Sequence, residues 1–188
     1  MGLEVNMKRT GRLIALGMSL VMLFSLAGCK TKVKEYDKDS LVSALESELN
    51  IDEDDMYISR SESDVSGHPS ADCVTASYKD ARINAFFCDN ATSAKEVFAA
   101  YYTEFENTFN QDGQFKGTYA ADKTDDYGYI VINGDMSGVS IFGDRYRAGS
   151  LHAGLYHNGS MLIMIIPSNP DGIDNAGEII EALGLIDA

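Results

Sequence analysis

Hydrophobic and polar positions recur with helical spacing in two clear places along the chain, and each predicts an amphipathic helix. In LVSALESELN, which follows Ser40, the apolar side chains fall on one helical face. Farther along, Ser93 and Glu96 have the spacing of a capping box ahead of aromatic residues three and four positions apart. The pattern therefore predicts one helix directly after Ser40 and a longer one over residues 93–109.

Alternating apolar and polar positions on both sides of the polar sequence KDAR predict a β-hairpin over residues 71–88. If Tyr78 and Ile83 close its loop, Cys73 and Cys88 face each other in a non-hydrogen-bonded pair. Such a pair brings the Cα atoms to about 4.5 Å, a separation that a disulfide accepts. We therefore predict a disulfide between Cys73 and Cys88, and the alternative is two reduced, packed thiols.

A second hairpin is predicted in SLHAGLYHNGSMLIMIIP, with Asn158-Gly159 as its two-residue turn. Both of its faces are largely apolar, which indicates a pair of strands at the centre of a sheet. A last helix follows over residues 172–183, with Gly184 as its left-handed cap. The order of helices and strands predicts an α+β fold, an antiparallel sheet with about three helices packed mainly on one face.

The N-terminal residues show the three zones of a secretory signal peptide. The basic stretch MKRTGR precedes an uncharged apolar run, Leu13 to Leu26, and the small residues Ala27 and Gly28 follow it. The apolar run is too short to span a bilayer comfortably. We therefore expect residues 1–28 to be removed as a signal peptide.

The tetrapeptide Leu26-Ala27-Gly28-Cys29 resembles the lipobox of bacterial lipoproteins. This resemblance implies that signal peptidase recognises Leu26, Ala27 and Gly28, that cleavage occurs before Cys29, and that the Cys29 thiol carries a diacylglyceryl group. Two acyl chains hold a protein durably on a membrane. The expected location is the extracytoplasmic face of the cell membrane, and the alternative is cleavage elsewhere, which leaves Cys29 an ordinary thiol.

The rest of the chain divides into two parts. Residues 29–39, rich in charged side chains and without an apolar period, are expected to form the lipidated N-terminus and a flexible tether. Residues 40–188 are expected to form a single α+β domain. The arrangement from INAFFCDNATSAKEVF to EIIEALGL resembles a group of small, uncharacterised Gram-positive lipoproteins, and this resemblance supplies no catalytic residue.

Charge limits the partners that are expected. The 188 residues include 29 acidic and 15 basic side chains, which gives a formal net charge of −14 at pH 7. Phosphate backbones repel such a surface, so no nucleic-acid partner is expected. The expected partners are the membrane, through the lipid anchor, and a protein or small ligand in the envelope.

The sequence carries few signs of catalysis. Nucleophile-elbow, metalloprotease, P-loop and dinucleotide motifs are missing, and no metal site or cofactor is predicted. The acidic clusters at residues 52–55 and 122–126 lack the spacing of a calcium loop and are interpreted as solvated turns. The favoured function is noncatalytic binding; the alternative is an envelope hydrolase that uses His152 with a nearby carboxylate.

Overall fold

The computed structural model describes residues 32–62, 69–109, 115–136, 140–141, 144–145, 149–168 and 173–188. The predicted signal peptide and lipidation site, with Leu26, Ala27, Gly28 and Cys29, lie outside these residues and stay predictions. Within the described residues, no helix has the length and apolar character needed to cross a membrane.

The elements follow one another in an order of mixed helices and strands. Their bounds are α1 (Lys38–Leu49), a 3-10 turn (Glu53–Asp55), β1 (Tyr57–Ser61), β2 (Ala71–Tyr78), β3 (Ala81–Cys88), α2 (Ala91–Phe109), β4 (Phe115–Lys123), β5 (Tyr127–Met136), β6 (Ser140–Ile141), β7 (Asp144–Arg145), β8 (Gly149–Asn158), β9 (Met161–Pro167) and α3 (Ile173–Ala182).

Seven strands form one antiparallel sheet in the order β1-β2-β3-β9-β8-β5-β4. The short strands β6 and β7 pair only with each other. The hairpin of β8 and β9 lies at the centre of the large sheet and is buried along almost its whole length. The fold is therefore α+β, as predicted, and the sheet is its larger part.

The helices are divided between the two faces of the sheet. On one side, the α1/α3 face, Ile163 of β9 belongs to the same hydrophobic cluster as Leu45 of α1 and Ile180 of α3. On the other side, the α2 face, Leu162 shares a cluster with Phe98. The expectation that the helices pack mainly on one face is not confirmed. The central strands are apolar on both faces, and each apolar face has to be buried against helices.

The chain joins the domain at Val33, earlier than predicted. The compact unit spans Val33–Ala188, and Val33 and Tyr36 are both buried. Asn158 donates a hydrogen bond from Nδ2 to the Val33 carbonyl at 2.7 Å, and the Tyr36 hydroxyl donates to the Leu183 carbonyl at 2.6 Å. Within the segment 29–39 that was expected to form a tether, Val33–Asp37 forms a strap packed against the domain.

Two helices begin slightly before their predicted starts, because an acidic or amide side chain caps each of them. Asp37 accepts a hydrogen bond from the Ser40 backbone at 2.7 Å, and Ser40 Oγ accepts one from the Asp37 backbone at 3.0 Å. Asn90 accepts a hydrogen bond from the Ser93 backbone at 2.9 Å. Ser40 and Ser93 therefore lie inside the first turns of α1 and α2 and are not their N-caps.

The first hairpin has a register two residues away from the predicted one. Its loop is Lys79–Asp80, so Cys73 lies opposite Phe86 and Cys88 lies opposite Ala71. Both thiols are free, and the predicted disulfide between Cys73 and Cys88 is not formed in this structure. An even shift leaves each side chain on its face, so both cysteines lie on the α2 face, as expected.

A third strand explains this register. Ala81 pairs with Pro167 of β9 and is fully buried, so it cannot belong to a solvent-exposed loop.

The register of the central hairpin is shifted by two residues in the opposite direction from the predicted one. Asn158 pairs with Met161, and the loop is Gly159–Ser160. Gly159 takes the left-handed conformation, with φ of 58°, that the first loop position needs.

Candidate functional site

His152 lies on β8, beneath a cleft on the α1/α3 face. The cleft has a volume of about 640 Å³, within the size range of small-molecule sites. His152 itself is only 5% exposed and forms part of the floor. The cleft is lined by His152, Gly177, Glu178, Ile180, Glu181, Gly184, Leu185 and Asp187.

Two neighbours fix the imidazole ring of His152. Its Nε2 lies 2.7 Å from Oδ1 of Asp187, whose side chain is 49% exposed. The other side of the ring faces Gly177 in α3, where an added Cβ would lie 3.0 Å from Cε1 and 3.1 Å from Nδ1. A glycine at this position therefore allows the helix backbone to pack closely on the ring.

His152 is one of three ring side chains that hold the C-terminal residues. The Tyr36 hydroxyl bonds the Leu183 carbonyl, and the Tyr156 hydroxyl donates to the Ile186 carbonyl at 2.8 Å. Burial raises the pKa of Tyr156 well above its usual value, so the hydroxyl stays a neutral donor. The contact between His152 and Asp187 is thus the last in a series that attaches the C-terminal residues to the strap and the sheet.

The cleft is acidic. Three carboxyl side chains line it, from Glu178, Glu181 and Asp187, and none of the lining residues that the structure describes is a lysine or an arginine. Glu178 is partly neutralised, because Lys79 donates a hydrogen bond to it at 2.6 Å and Tyr78 donates one at 3.1 Å. The hydrogen bond from Lys79 is the main reason that the pKa of Glu178 is lowered.

Metal coordination is not supported in this cleft. Nowhere in the described part of the chain do three His, Cys, Asp or Glu side chains come together as a set of metal ligands.

A second cleft, of about 730 Å³, lies beside the strap and is crossed by an ion-pair network. Arg60 donates to Asp72 at 3.1 Å, to Asp89 at 2.8 Å and to Ser70 at 2.8 Å. The hydrogen bond from Arg60 holds the pKa of Asp89 below its usual range. Because these charges already satisfy one another, we interpret the network as a link between β1, β2 and the start of α2.

The other nucleophilic and titratable candidates lie away from the His152 cleft. Cys73 and Cys88 pack near Ala94 on the α2 face, and burial raises the pKa of both thiols. His157 is buried beside Phe98, at a ring-centroid distance of 5.5 Å, and burial lowers its pKa. His157 is therefore neutral at pH 7 and is interpreted as a packed residue.

Sequence reasoning identified His152 but not the carboxylate that it contacts. Asp187 lies 35 positions away, in the residues after α3, and no local pattern connects the two. Glu178 and Glu181 are three residues apart, so helical spacing alone would have placed them side by side. Only the packing of α3 on β8 shows that they share a cleft with His152.

Comparison with known proteins found no relative of this chain. No protein-family model matches this chain, and no match was found among the curated proteins or among the solved structures. A function has to be argued from the site itself.

Proposed function

We propose that this protein is a lipoprotein, anchored through Cys29 on the extracytoplasmic face of the cell membrane, whose domain binds a small cationic ligand in the His152 cleft without catalysis. The lipobox-like LAGC sequence supports the anchor. The observation that carries the binding function is the acidic cleft of ligand size over a buried histidine.

The surroundings of His152 favour a structural role over a catalytic one. A general base needs a nitrogen that can reach the substrate. Nε2 is occupied by Asp187, and Nδ1 faces the backbone of α3 at Gly177. The described lining also offers no serine, threonine, cysteine, tyrosine or lysine as a nucleophile.

The charges of the cleft indicate the class of ligand. Glu181 and Asp187 contribute negative charge to a concave surface, and the fully buried Ile180 and nearly buried Leu185 form its apolar backing. A low-dielectric wall behind carboxylates strengthens their attraction for a cation. The ligand we propose therefore has an ammonium group.

Metabolic labelling with a fatty acid tests the anchor. The wild-type protein is expected to take up label and to sediment with membranes, because Cys29 is the proposed acceptor. The Cys29→Ser variant is expected to lose both properties, and a Cys73→Ser variant is the matched control that keeps them. Label that persists in Cys29→Ser would rule out this assignment.

Calorimetric titration with spermidine tests the cleft, with this polyamine as the probe. Binding is expected to weaken in Glu181→Gln, because one of the lining carboxylates is lost. Glu48→Gln, which changes an exposed glutamate on α1, is the matched control for net charge. Equal losses in both variants, or no difference of either from the wild type, would show that the cleft does not bind the cation.

The second candidate is a hydrolase, and the 2.7 Å contact of His152 with Asp187 at a polar cleft is the observation in its favour. Hydrolysis of an activated ester such as p-nitrophenyl acetate tests it. An enzyme would lose activity in His152→Gln and keep it in Tyr156→Phe, which loosens the same tail without altering the imidazole. Activity that is equal in all three proteins would exclude catalysis by His152.

A further inference from the structure

One end of the sheet carries the strap Val33–Asp37 together with the turns at Asp89–Asn90, Asp125–Asp126 and Gly159–Ser160. We call it the Val33 end. The opposite end carries the turn Lys79–Asp80 and is called the Asp80 end. The paired strands are antiparallel and overlap along most of their length. The turns of the Val33 end therefore lie at one end of these strands, and the turn Lys79–Asp80 lies at the other.

The parts of the Val33 end are bonded to one another. The Gly159 backbone donates to the Asp126 carbonyl at 3.3 Å, and the Cys88 backbone donates to the Ser160 carbonyl at 3.0 Å. The hydrogen bond from Asn158 attaches the strap to the same hairpin. The first residue of the compact unit is therefore fixed to this end of the sheet.

We infer that the Val33 end faces the lipid bilayer and holds the domain in one orientation on the membrane. The inference rests on the proposed lipidation of Cys29. Four residue steps separate Cys29 from Val33, and an extended chain covers at most about 14 Å in that number. Because the headgroup layer is itself about 5–8 Å thick on each side, the Val33 end lies at the membrane surface.

This orientation places His152 away from the bilayer. His152 lies six residues along β8 from Asn158, and a strand rises about 3.3 Å per residue. The histidine is therefore about 20 Å from the Val33 end, measured along the strand. The occupant of the Val33 end is the bilayer, whereas His152 and the Asp80 end lie away from it.

Single tryptophans can test the orientation, because the chain contains no tryptophan of its own. Asp126→Trp and Asp80→Trp form a matched pair: each replaces an exposed aspartate in a turn, at opposite ends of the sheet. The full chain is produced in a bacterium that processes lipoproteins. It is then reconstituted in phosphatidylcholine vesicles that contain a lipid with a nitroxide on its headgroup.

The fluorescence of Asp126→Trp is expected to fall strongly relative to vesicles without nitroxide, whereas that of Asp80→Trp is expected to be unchanged. A Gly-Ser insertion of about 20 residues between Lys32 and Val33 should restore the fluorescence of Asp126→Trp, because it lengthens the connection. Circular dichroism checks the fold of each variant, and Glu35→Trp is a second probe at the Val33 end.

Three results would overturn the inference. Equal quenching of Asp126→Trp and Asp80→Trp would show that the domain has no fixed end toward the lipid. Quenching of Asp126→Trp that survives the insertion would show that the short connection does not set the orientation. A protein without fatty-acid label would remove the anchor and with it this inference, whereas ligand binding in the His152 cleft is tested separately by calorimetry.

Discussion

Tyr156 shows at the scale of one residue how the sheet holds the C-terminal tail. Its hydroxyl is fully buried and donates to the Ile186 carbonyl. Tyr156→Phe removes the donor and is expected to lower the free energy of unfolding by about 1 kcal/mol. Denaturant unfolding near neutral pH measures this change. Tyr57→Phe, at a tyrosine that is 70% exposed, is the control that should leave stability unchanged.

Tyr156 is also expected to make the stability of the folded protein sensitive to alkaline pH. Because the pKa of Tyr156 is raised in the folded state, its contribution to stability is complete below the unfolded pKa of about 10. That contribution is lost as the pH rises through the folded pKa. The wild type should therefore lose more stability than Tyr156→Phe above about pH 10. Parallel alkaline curves for the two proteins would contradict this prediction.

The two cysteines of the domain provide a third prediction. Cys73 and Cys88 are both free, and burial raises the pKa of each thiol. A Cys29→Ser chain unfolded without reductant should show both thiols to an alkylating reagent. The folded chain should react slowly, with a rate that rises mainly above about pH 8.5, because the thiolate is the reactive form. Mass spectrometry that finds neither thiol alkylated after unfolding would instead indicate the disulfide.

The contact between α3 and β8 can be tested at the scale of elements. Gly177 lies inside α3, where alanine is favoured over glycine by about 1 kcal/mol. An added Cβ, however, would press on the ring of His152, and the contact with Asp187 keeps that ring from moving away. Gly177→Ala is therefore expected to destabilise the wild type and to stabilise a His152→Ala background.

A double-mutant cycle on Gly177 and His152, measured by denaturant unfolding, gives the coupling between them directly. The change of sign is the specific signature, since helix propensity alone acts equally in both backgrounds. The same sign in both backgrounds would show that α3 does not rest on the histidine ring.

The two hairpins show how far sequence reasoning reaches at this scale. Alternation correctly placed Cys73 and Cys88 on the same face of the sheet, because alternation is a local property of a strand. It missed both registers by two residues. The register of the first hairpin depends on the burial of Ala81 against Pro167 of β9, a contact far away in sequence.

The layering of the whole molecule was only partly predictable for a related reason. The apolar pattern of the central strands on both faces already required cover on both sides, and this requirement conflicts with helices packed mainly on one face. The pattern could not tell which helix covers which face, since Phe98 and Leu45 are equally apolar. The contact between His152 and Asp187 could not be predicted either, because the two residues are 35 positions apart in sequence. The packing of α3 on the sheet brings them together.

Acid is expected to destabilise the whole molecule through its paired carboxylates. The pKa values of Asp37, Asp89, Asp125 and Glu178 are all lowered by hydrogen bonds, three of them from Arg60 or a lysine and that of Asp37 from Ser40. A lowered folded pKa contributes stability above the unfolded pKa of about 4, and this stability is lost as the pH falls through the folded value. The melting temperature should therefore fall steeply below about pH 4.

The variant Arg60→Gln distinguishes the effect of these paired carboxylates on acid stability from the effect of net charge. It removes the cation that pairs with Asp72 and Asp89, so it should lower the melting temperature near neutral pH. The difference in melting temperature from the wild type should narrow toward about pH 3, where protonation of the carboxylates removes from the wild type the ion pairs that the variant already lacks. Lys116→Gln, at an exposed lysine on β4, makes the same charge change and should leave a smaller gap. A gap for Arg60→Gln that stays constant or widens in acid would show that its ion pairs do not govern acid stability.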